Sequence, residues 1–343
     1  MFKRIYILII VAILNCIVIC AQKSNFEYAK KITISDGLAH NGVSCVLEDS
    51  KGFLWIGTYQ GINKYDGNKL ITYKNTIDLN ILTSNRVRSI SEDKSGDLWI
   101  GTDEGLTIYS YSQEKFLKVY SNKLNNKETN GPIIRSIYIS KKNNLTYCLT
   151  EGSGILVFDD KYQLVDRLFN AIDTSEIIFY NALELENGGI VFSSSKGVYH
   201  YEALGDKKIS KVLTEKITSS TSITNIGAKT FIITLQNGIA IVNFDKNKFE
   251  LKHQLLSKYN FNSAKLDANN NLWLGTLDDG IVQIKNFKSY LKANFVTPFK
   301  FNFFTDGLDR LRISEIIKSS KKAIWVSTFN EGIYQFDTKE NVF

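Results

Sequence analysis

The sequence predicts an all-β protein: a seven-bladed β-propeller of four-stranded antiparallel blades, closed by an N-terminal strand. Three observations carry this prediction. The pentapeptide Leu-Trp-Ile-Gly-Thr occurs at Leu54–Thr58 and again at Leu98–Thr102, with a variant, Leu-Trp-Leu-Gly-Thr, at Leu272–Thr276. Self-similarity at a period of roughly 40–50 residues marks a repeat architecture. Each copy also sits among short apolar runs split by glycine-bearing turns. Finally, the chain has two prolines, 12% aromatic residues and abundant Ile, Val and Thr, a mix suited to half-buried strands. No apolar stretch of helical period and length follows the N-terminus.

The N-terminus reads as a targeting signal. Lys3 and Arg4 precede a run, Ile5–Ile19, that is apolar except for Asn15, and Ala21 offers a small residue for cleavage. Residues 1–21 are therefore expected to be a cleaved signal peptide, leaving 22–343 as a single propeller in the periplasm or outside the cell. An uncleaved anchor is the alternative, although the run is short for a spanning helix. The bulky Ile19 before Cys20 argues against a lipoprotein. No second apolar stretch of spanning length is read. Cys45 and Cys148 remain after the signal, each in an apolar strand pattern. Burial as small hydrophobes is the simplest reading. An oxidising compartment also allows a disulfide, which spacing does not decide.

The repeat unit runs from an inner strand such as Val43–Asp49, through a turn, Ser50–Gly52, to the tryptophan strand. A third run, Ile62–Asp66, and a fourth, Lys69–Tyr73, follow. Around Trp99 and Trp273 the frame returns, and weaker copies stand at Tyr147, Val191, Phe231 and Trp325. Seven anchors with four runs each make seven blades. The last unit stops where its outer strand should begin, while Phe26–Ile34 is a spare run ahead of Asp36-Gly37-Leu38. An Asp-Gly-Leu at 306–308 likewise follows the outer run Phe301–Phe304. Phe26–Ile34 is thus expected to complete the seventh blade, since an unclosed ring would leave open edges.

The prominent repeated residues read as scaffold. Asp49, Asp93 and Asp267 each precede a turn whose fourth residue is Gly52, Gly96 or Asn270. Asp accepts the turn amides, and Gly or Asn tolerates the positive φ. Lying in separate blades, these carboxylates cannot converge on a metal. The tryptophans, between aliphatics at one place in four blades, read as packing rather than as sugar platforms.

The turns after each Thr of the pentapeptide and the loops entering the inner strands open on one face, where the copies stop agreeing. There the candidate ligand-binding residues are Asn41, Tyr59, Arg86, Arg88, Glu104, Glu151, Asp279 and Asn330. Loops on a rigid scaffold collect binding residues, and this set suits an oligosaccharide or other polar ligand. A merely solvated rim is the competing reading. Chemistry finds little support: His40, His200 and His253 lack metal spacing, and no nucleophile elbow, phosphate loop or Cys–His pairing occurs. No catalytic residue, metal or cofactor is called for. The net charge of +7, or +5 without Lys3 and Arg4, is spread along the chain. Together with export, this argues against a nucleic-acid partner.

The run Val87–Tyr109, VRSISEDKSGDLWIGTDEGLTIY, resembles the two-component regulator propeller repeat of bacterial sensor proteins, known from hybrid two-component systems of Bacteroidota. The resemblance covers all seven units and is strongest in the first two. It implies periplasmic seven-bladed propellers, often two in series, followed by a β-sandwich, a membrane helix and a histidine kinase or other output module. It also implies responses to glycans, but supplies no fixed binding motif. Read as it stands, the chain carries one ring and no output module. A missing C-terminal kinase module or a separate signalling partner is expected. The function implied is an exported sensor propeller without enzyme activity; a protein-interaction scaffold and a propeller lyase or hydrolase are the alternatives.

Overall fold

A computed structural model describes residues 30–120, 122–124, 127–129, 131–169, 176–204, 206–213, 216–293, 302–303, 308–320 and 323–337. The expected leader, residues 1–21, lies outside the described residues, as do residues 22–29. Strand β1 (Lys30–Ile32) comes first. Blade 1 is β2 (Val43–Glu48), β3 (Leu54–Thr58), β4 (Gly61–Tyr65) and β5 (Leu70–Tyr73). Blade 2 is β6 (Val87–Glu92), β7 (Leu98–Thr102), β8 (Gly105–Ser110) and β9 (Lys115–Tyr120). A two-stranded ribbon, β10 (Asn122–Leu124) with β11 (Lys127–Thr129), which the repeat did not foreshadow, leads to the next blade. Blade 3 is β12 (Ile134–Ile139), β13 (Thr146–Thr150), β14 (Ile155–Phe158) and β15 (Leu164–Leu168). Blade 4 is β16 (Phe179–Glu184), β17 (Ile190–Ser194), β18 (Gly197–Tyr201) and β19 (Ile209–Val212). Blade 5 is β20 (Ser222–Gly227), β21 (Thr230–Leu235), β22 (Gly238–Asp245) and β23 (Lys248–Leu255). Blade 6 is β24 (Phe261–Leu266), β25 (Leu272–Thr276), β26 (Ile281–Ile284) and β27 (Asn302–Phe303). Blade 7 is β28 (Ile313–Lys318), β29 (Ala323–Thr328) and β30 (Ile333–Asp337), completed by β1. A six-residue helix, Phe287–Lys292, leaves β26 and buries Phe287 in the core.

All seven sheets are four-stranded and antiparallel. The first strands of successive blades touch all the way round, from β2 through β6, β12, β16, β20, β24 and β28 back to β2. They wall a central channel. The core lies between blades: Trp55 and Ile62 of blade 1 pack with Val87, Leu98 and Ile100 of blade 2, and this layering recurs around the ring.

Closure is as expected in kind and shorter in extent. β1 pairs with β30 through Lys30–Gln335, Lys31–Tyr334 and Ile32–Ile333. The strand stops at Ile32 and not at Ile34, because Thr33 begins a capping box. Its Oγ1 accepts from the Ser35 amide while Asp36 accepts from the Thr33 amide. Gly37, at φ 101°, turns the chain away. Residues 26–29 of the expected strand lie outside the described residues.

The repeated residues form one device with three parts. Asp49 Oδ1 accepts the amides of Lys51 (3.0 Å) and Phe53 (2.9 Å), and its Oδ2 accepts Trp55 Nε1 at 2.8 Å. Asp93 does the same for Ser95, Asp97 and Trp99, and Asp267 for Asn269, Asn271 and Trp273. The carboxylate thus shapes the hairpin and satisfies the indole N–H that burial would otherwise orphan. Gly52 and Gly96 and the substituting Asn144 and Asn270 all have positive φ. The Thr is a turn cap: Thr58 Oγ1 donates to Gly61 O at 2.8 Å and accepts the Gln60 amide at 3.1 Å. The Gly is a contact surface for the next blade. A Cβ on Gly57 would stand 2.7 Å from Val87 Cγ1, and one on Gly275 2.5 Å from Ile313 Cγ2.

Polar links also join neighbours. Glu92 of blade 2 accepts the Ser50 amide of blade 1 at 2.8 Å, together with its hydroxyl. Glu184 reaches Ser140 and the Lys141 amide in the same way, and Glu48 reaches Ser320 across the closing seam. Tyr111 donates to Asp49, and Tyr162 to Asp97 at 2.8 Å. Cys45 and Cys148 are both buried and free; burial holds both thiols well above their ordinary range. Among the described residues no helix is long and apolar enough to cross a membrane.

Candidate functional site

The channel widens into a cavity of about 420 Å³ walled by the first strands of all seven blades. That volume falls within the range of small-molecule sites, roughly 300–1,000 Å³. In six blades the first strand carries a bulge just after its opening residue, as at Val43/Cys45 and Ile134/Ser136. The bulged residues are Ser44, Arg88, Arg135, Tyr180, Asn262 and Ser314, and every one lines the cavity with Ser222 of blade 5. A bulge re-aims one side chain without breaking the ladder on either side. The fold therefore presents one freely chosen residue per blade to the channel.

Several of these are spoken for. Ser44 donates to Val87 O, Ser314 to Ser327 Oγ, and Asn262 Nδ2 to Ser314 O at 2.8 Å. Others carry unspent polarity. Arg135 is held by Glu151, its Nε 2.8 Å from Oε2. Arg88 forms a two-pronged pair with Asp103, with Nη2 3.1 Å from Oδ2. Each guanidinium keeps further N–H donors. Tyr180 stands beside them, and enclosure pushes its hydroxyl above the ordinary tyrosine range, with Arg135 opposing. Next to Asp103, Arg86 lies 4.5 Å over the Tyr59 ring and 3.5 Å from the carboxylate, and His40 stacks on Tyr59 at 5.5 Å. Phe329 adds an apolar edge, with Arg312 above its ring at 5.6 Å.

Glu315 departs from this pattern. It follows the bulge in blade 7, where Ser89, Ser136 and Ser263 stand in blades 2, 3 and 6. One of its oxygens accepts the Val46 amide of blade 1 at 2.9 Å, the same link that Ser263 Oγ makes to the Ile316 amide at 3.1 Å. Desolvation pushes its carboxyl up to about 7, with the Val46 amide and Lys265 opposing.

Of the sequence candidates, the structure brings together Tyr59, Arg86 and Arg88 around Asp103, with Glu151 behind Arg135. Asn41 is occupied with closure: its Oδ1 accepts the Ile34 amide and its carbonyl the Gly332 amide, both at 2.9 Å. Glu104 is half-buried in the turn after Thr102, its carbonyl accepting the Gly131 amide. Asp279 and Asn330 are exposed on rim turns of blades 6 and 7 and do not line the cavity. Sequence reasoning passed over Arg135, Tyr180 and Glu315. Their signal was present in the aligned units: Arg135 and Tyr180 share a column with Ser44, Arg88, Asn262 and Ser314, and Glu315 shares one with Cys45, Ser89, Ser136, Asn181 and Ser263.

With this geometry in view, the similarities to known proteins are informative. Residues 37–60 and 81–104 match the family model "Two component regulator propeller". A 55-residue stretch is 44% identical to Histidine kinase P4 of Formosa agariphila, covering 16% of this chain and 4% of that protein. The extracellular domain of a hybrid two component system from B. thetaiotaomicron superposes with a TM-score of 0.72 at 22% identity, over 90% of this chain and 42% of that one. A virginiamycin B lyase from Staphylococcus aureus, crystallised with quinupristin, gives a TM-score of 0.67 at 12% identity, over 91% and 99%. At these identities the structural likenesses speak for the fold alone. The chain spans less than half of that extracellular domain and a small part of the kinase it matches. It is a seven-bladed propeller in which two segments match the two component regulator propeller model, and its fold resembles that of extracellular domains of bacterial two component and one component systems.

Proposed function

We propose that this propeller is the ligand-recognition part of an exported two-component-type sensor, that it binds an oligosaccharide or other polar ligand in the channel cavity, and that it performs no chemistry on it. The observation that carries the reading is the bulge column. Six blades spend a bulge on aiming one side chain into the same cavity, and those side chains include Arg88, Arg135 and Tyr180 with polar capacity to spare. Guanidinium groups and a tyrosine ring suit hydroxyl-rich and ring-shaped ligands, which need both donors and a stacking face. The likeness to extracellular sensor domains supports the signalling role, which requires a kinase module or signalling partner. A lyase or hydrolase reading finds less support, because no histidine lines the cavity among the described residues.

The test is calorimetric titration of the purified propeller with a panel of neutral and charged oligosaccharides. Arg135→Ala and Tyr180→Ala should each weaken a hit at least tenfold, while Asp279→Ala and Asn330→Ala on the rim leave it unchanged. Binding indifferent to both channel substitutions would refute the cavity as the site. Cleavage of a bound oligosaccharide by the purified protein would refute the non-enzymatic role.

A further inference from the structure

From the place of Glu315 in the channel wall, we infer that the cavity takes a ligand bearing an ammonium group, with the Glu315 carboxylate as its counter-ion. This rests on the channel being the ligand site. The argument begins with position. The blade-to-blade link at the seam needs only an acceptor for the Val46 amide, and in blade 6 a serine hydroxyl serves the same link. A glutamate is larger than that task requires, and its side chain lines the cavity while one oxygen is anchored on blade 1.

The second step is charge. The other charged groups of the cavity wall, Arg88 and Arg135, already have carboxylate partners in Asp103 and Glu151. Glu315 has no cation within ion-pair distance among the described residues; its neighbours are Cys45, the Val46 amide and, farther off, Lys265. An enclosed carboxylate without a cation is costly, and a ligand cation is the partner that relieves the cost. The raised pKa agrees with this: enclosure disfavours the charged form until a positive group arrives. The third step is the wall itself. Tyr180 and Phe329 line the same cavity, and aromatic faces attract cations as well as sugar rings.

An ammonium group can sit on a sugar or on an aliphatic chain, and the experiment separates them. The purified propeller is titrated at pH 7.5 with three probes: a β-1,4-linked glucosamine tetramer, its fully N-acetylated counterpart and 1,5-diaminopentane. The inference expects at least one amine probe to bind tenfold or more tightly than the acetylated tetramer, and that preference to vanish in Glu315→Gln. The glutamine oxygen can still accept the Val46 amide, so the seam is retained, and an unchanged melting temperature at pH 5 checks this. Binding of the tetramer alone assigns the site to amino sugars, and binding of the diamine assigns it to ammonium groups generally. Equal affinity for amine and acetylated probes, or a preference that survives in Glu315→Gln, overturns the inference and leaves the channel reading standing. Failure of all three probes overturns the inference, while the channel reading stands or falls with the oligosaccharide panel and the Arg135→Ala and Tyr180→Ala variants.

Discussion

Asp49 offers the sharpest test of the scaffold argument, because one carboxylate serves four donors. It accepts the amides of Lys51 and Phe53, the indole N–H of Trp55 and the hydroxyl of Tyr111 from the next blade. Asp49 is 4% exposed and Trp55 fully buried. In Asp49→Ala the indole and the phenol are left with only each other, at 3.2 Å. One buried donor then lacks an acceptor, which costs about 1–3 kcal/mol, and each lost hydrogen bond to a charged group adds about 1 kcal/mol or more. The expected loss is about 4 kcal/mol of unfolding free energy. Asp49→Asn keeps one acceptor for the turn amides but turns an NH₂ toward the indole, and should cost about 2 kcal/mol. The control is Asp66→Ala. Asp66 accepts the amides of Asn68 (2.8 Å) and Lys69 (2.6 Å) but is exposed, so water replaces it and the loss should stay below about 1 kcal/mol. Urea unfolding followed by tryptophan fluorescence and far-UV circular dichroism measures all three. If Asp49→Ala is no more harmful than Asp66→Ala, the repeated aspartate is turn chemistry alone and the indole clamp has no energetic weight.

Other expectations follow from the same frame. Gly101→Ala should destabilise by about 1–3 kcal/mol, the usual cost of overpacking, since its Cβ would stand 2.7 Å from Ile134 Cγ2 of blade 3; a neutral effect in the same unfolding assay would show that the blades have room to part. A chain beginning at Leu38 loses β1, including Ile32, which is 1% exposed, and should melt well below the intact protein by calorimetry; an unchanged melt would contradict closure by the N-terminal strand. A double-mutant cycle on Glu92→Ala and Ser50→Ala should give a coupling of about 1 kcal/mol or less, as for other solvent-exposed charged contacts, and the seam pair Glu48 and Ser320 a matching value. A seam coupling clearly smaller than that of Glu92 and Ser50 would mean that blades 7 and 1 are not held as the others are. For Glu315 the sign is set by a folded pKa raised from 4.5 to about 7. The folded state keeps a proton that the unfolded chain releases, so this contribution is full below about pH 4.5 and lost as pH rises through 7. Glu315→Gln should therefore gain on the wild type in denaturation midpoint between pH 5 and pH 8; parallel profiles would refute the raised pKa.

How far the sequence reaches depends on what repeats. Trp55, Gly57, Thr58 and Asp49 recur because every blade must solve the same local problem: a hairpin to shape, an indole to satisfy, a neighbour to pack against and a turn to cap. Identity across copies made those residues visible and assigned them correctly to the scaffold. That a strand from the N-terminus, now seen at Lys30–Ile32, closes blade 7 was legible by the same logic, as part of the run left over when seven units are counted. Its end at Ile32 was not, because the Thr33–Asp36 capping box is a local pattern with no counterpart in the repeat. The ribbon β10–β11, inserted between blades 2 and 3, and the helix Phe287–Lys292, inserted between the last two strands of blade 6, escaped for the same reason.

The site followed a different rule. Looking where the copies stop agreeing pointed first to the rim turns, where Asp279 and Asn330 are exposed and do not line the channel cavity. The bulged position of the first strand varies as well: it is half-buried and set apart from the regular ladder, and the residues standing there line the channel. Arg88 was found from its place beside a loop, while Arg135 and Tyr180, its equivalents in blades 3 and 4, lie in the same register without that cue. Variation inside a strand that the fold otherwise holds to a pattern thus marks residues that line the cavity, which the variable turns at Asp279 and Asn330 do not. Glu315 is its clearest instance: in a column where serine suffices for the seam, a carboxylate borders the cavity.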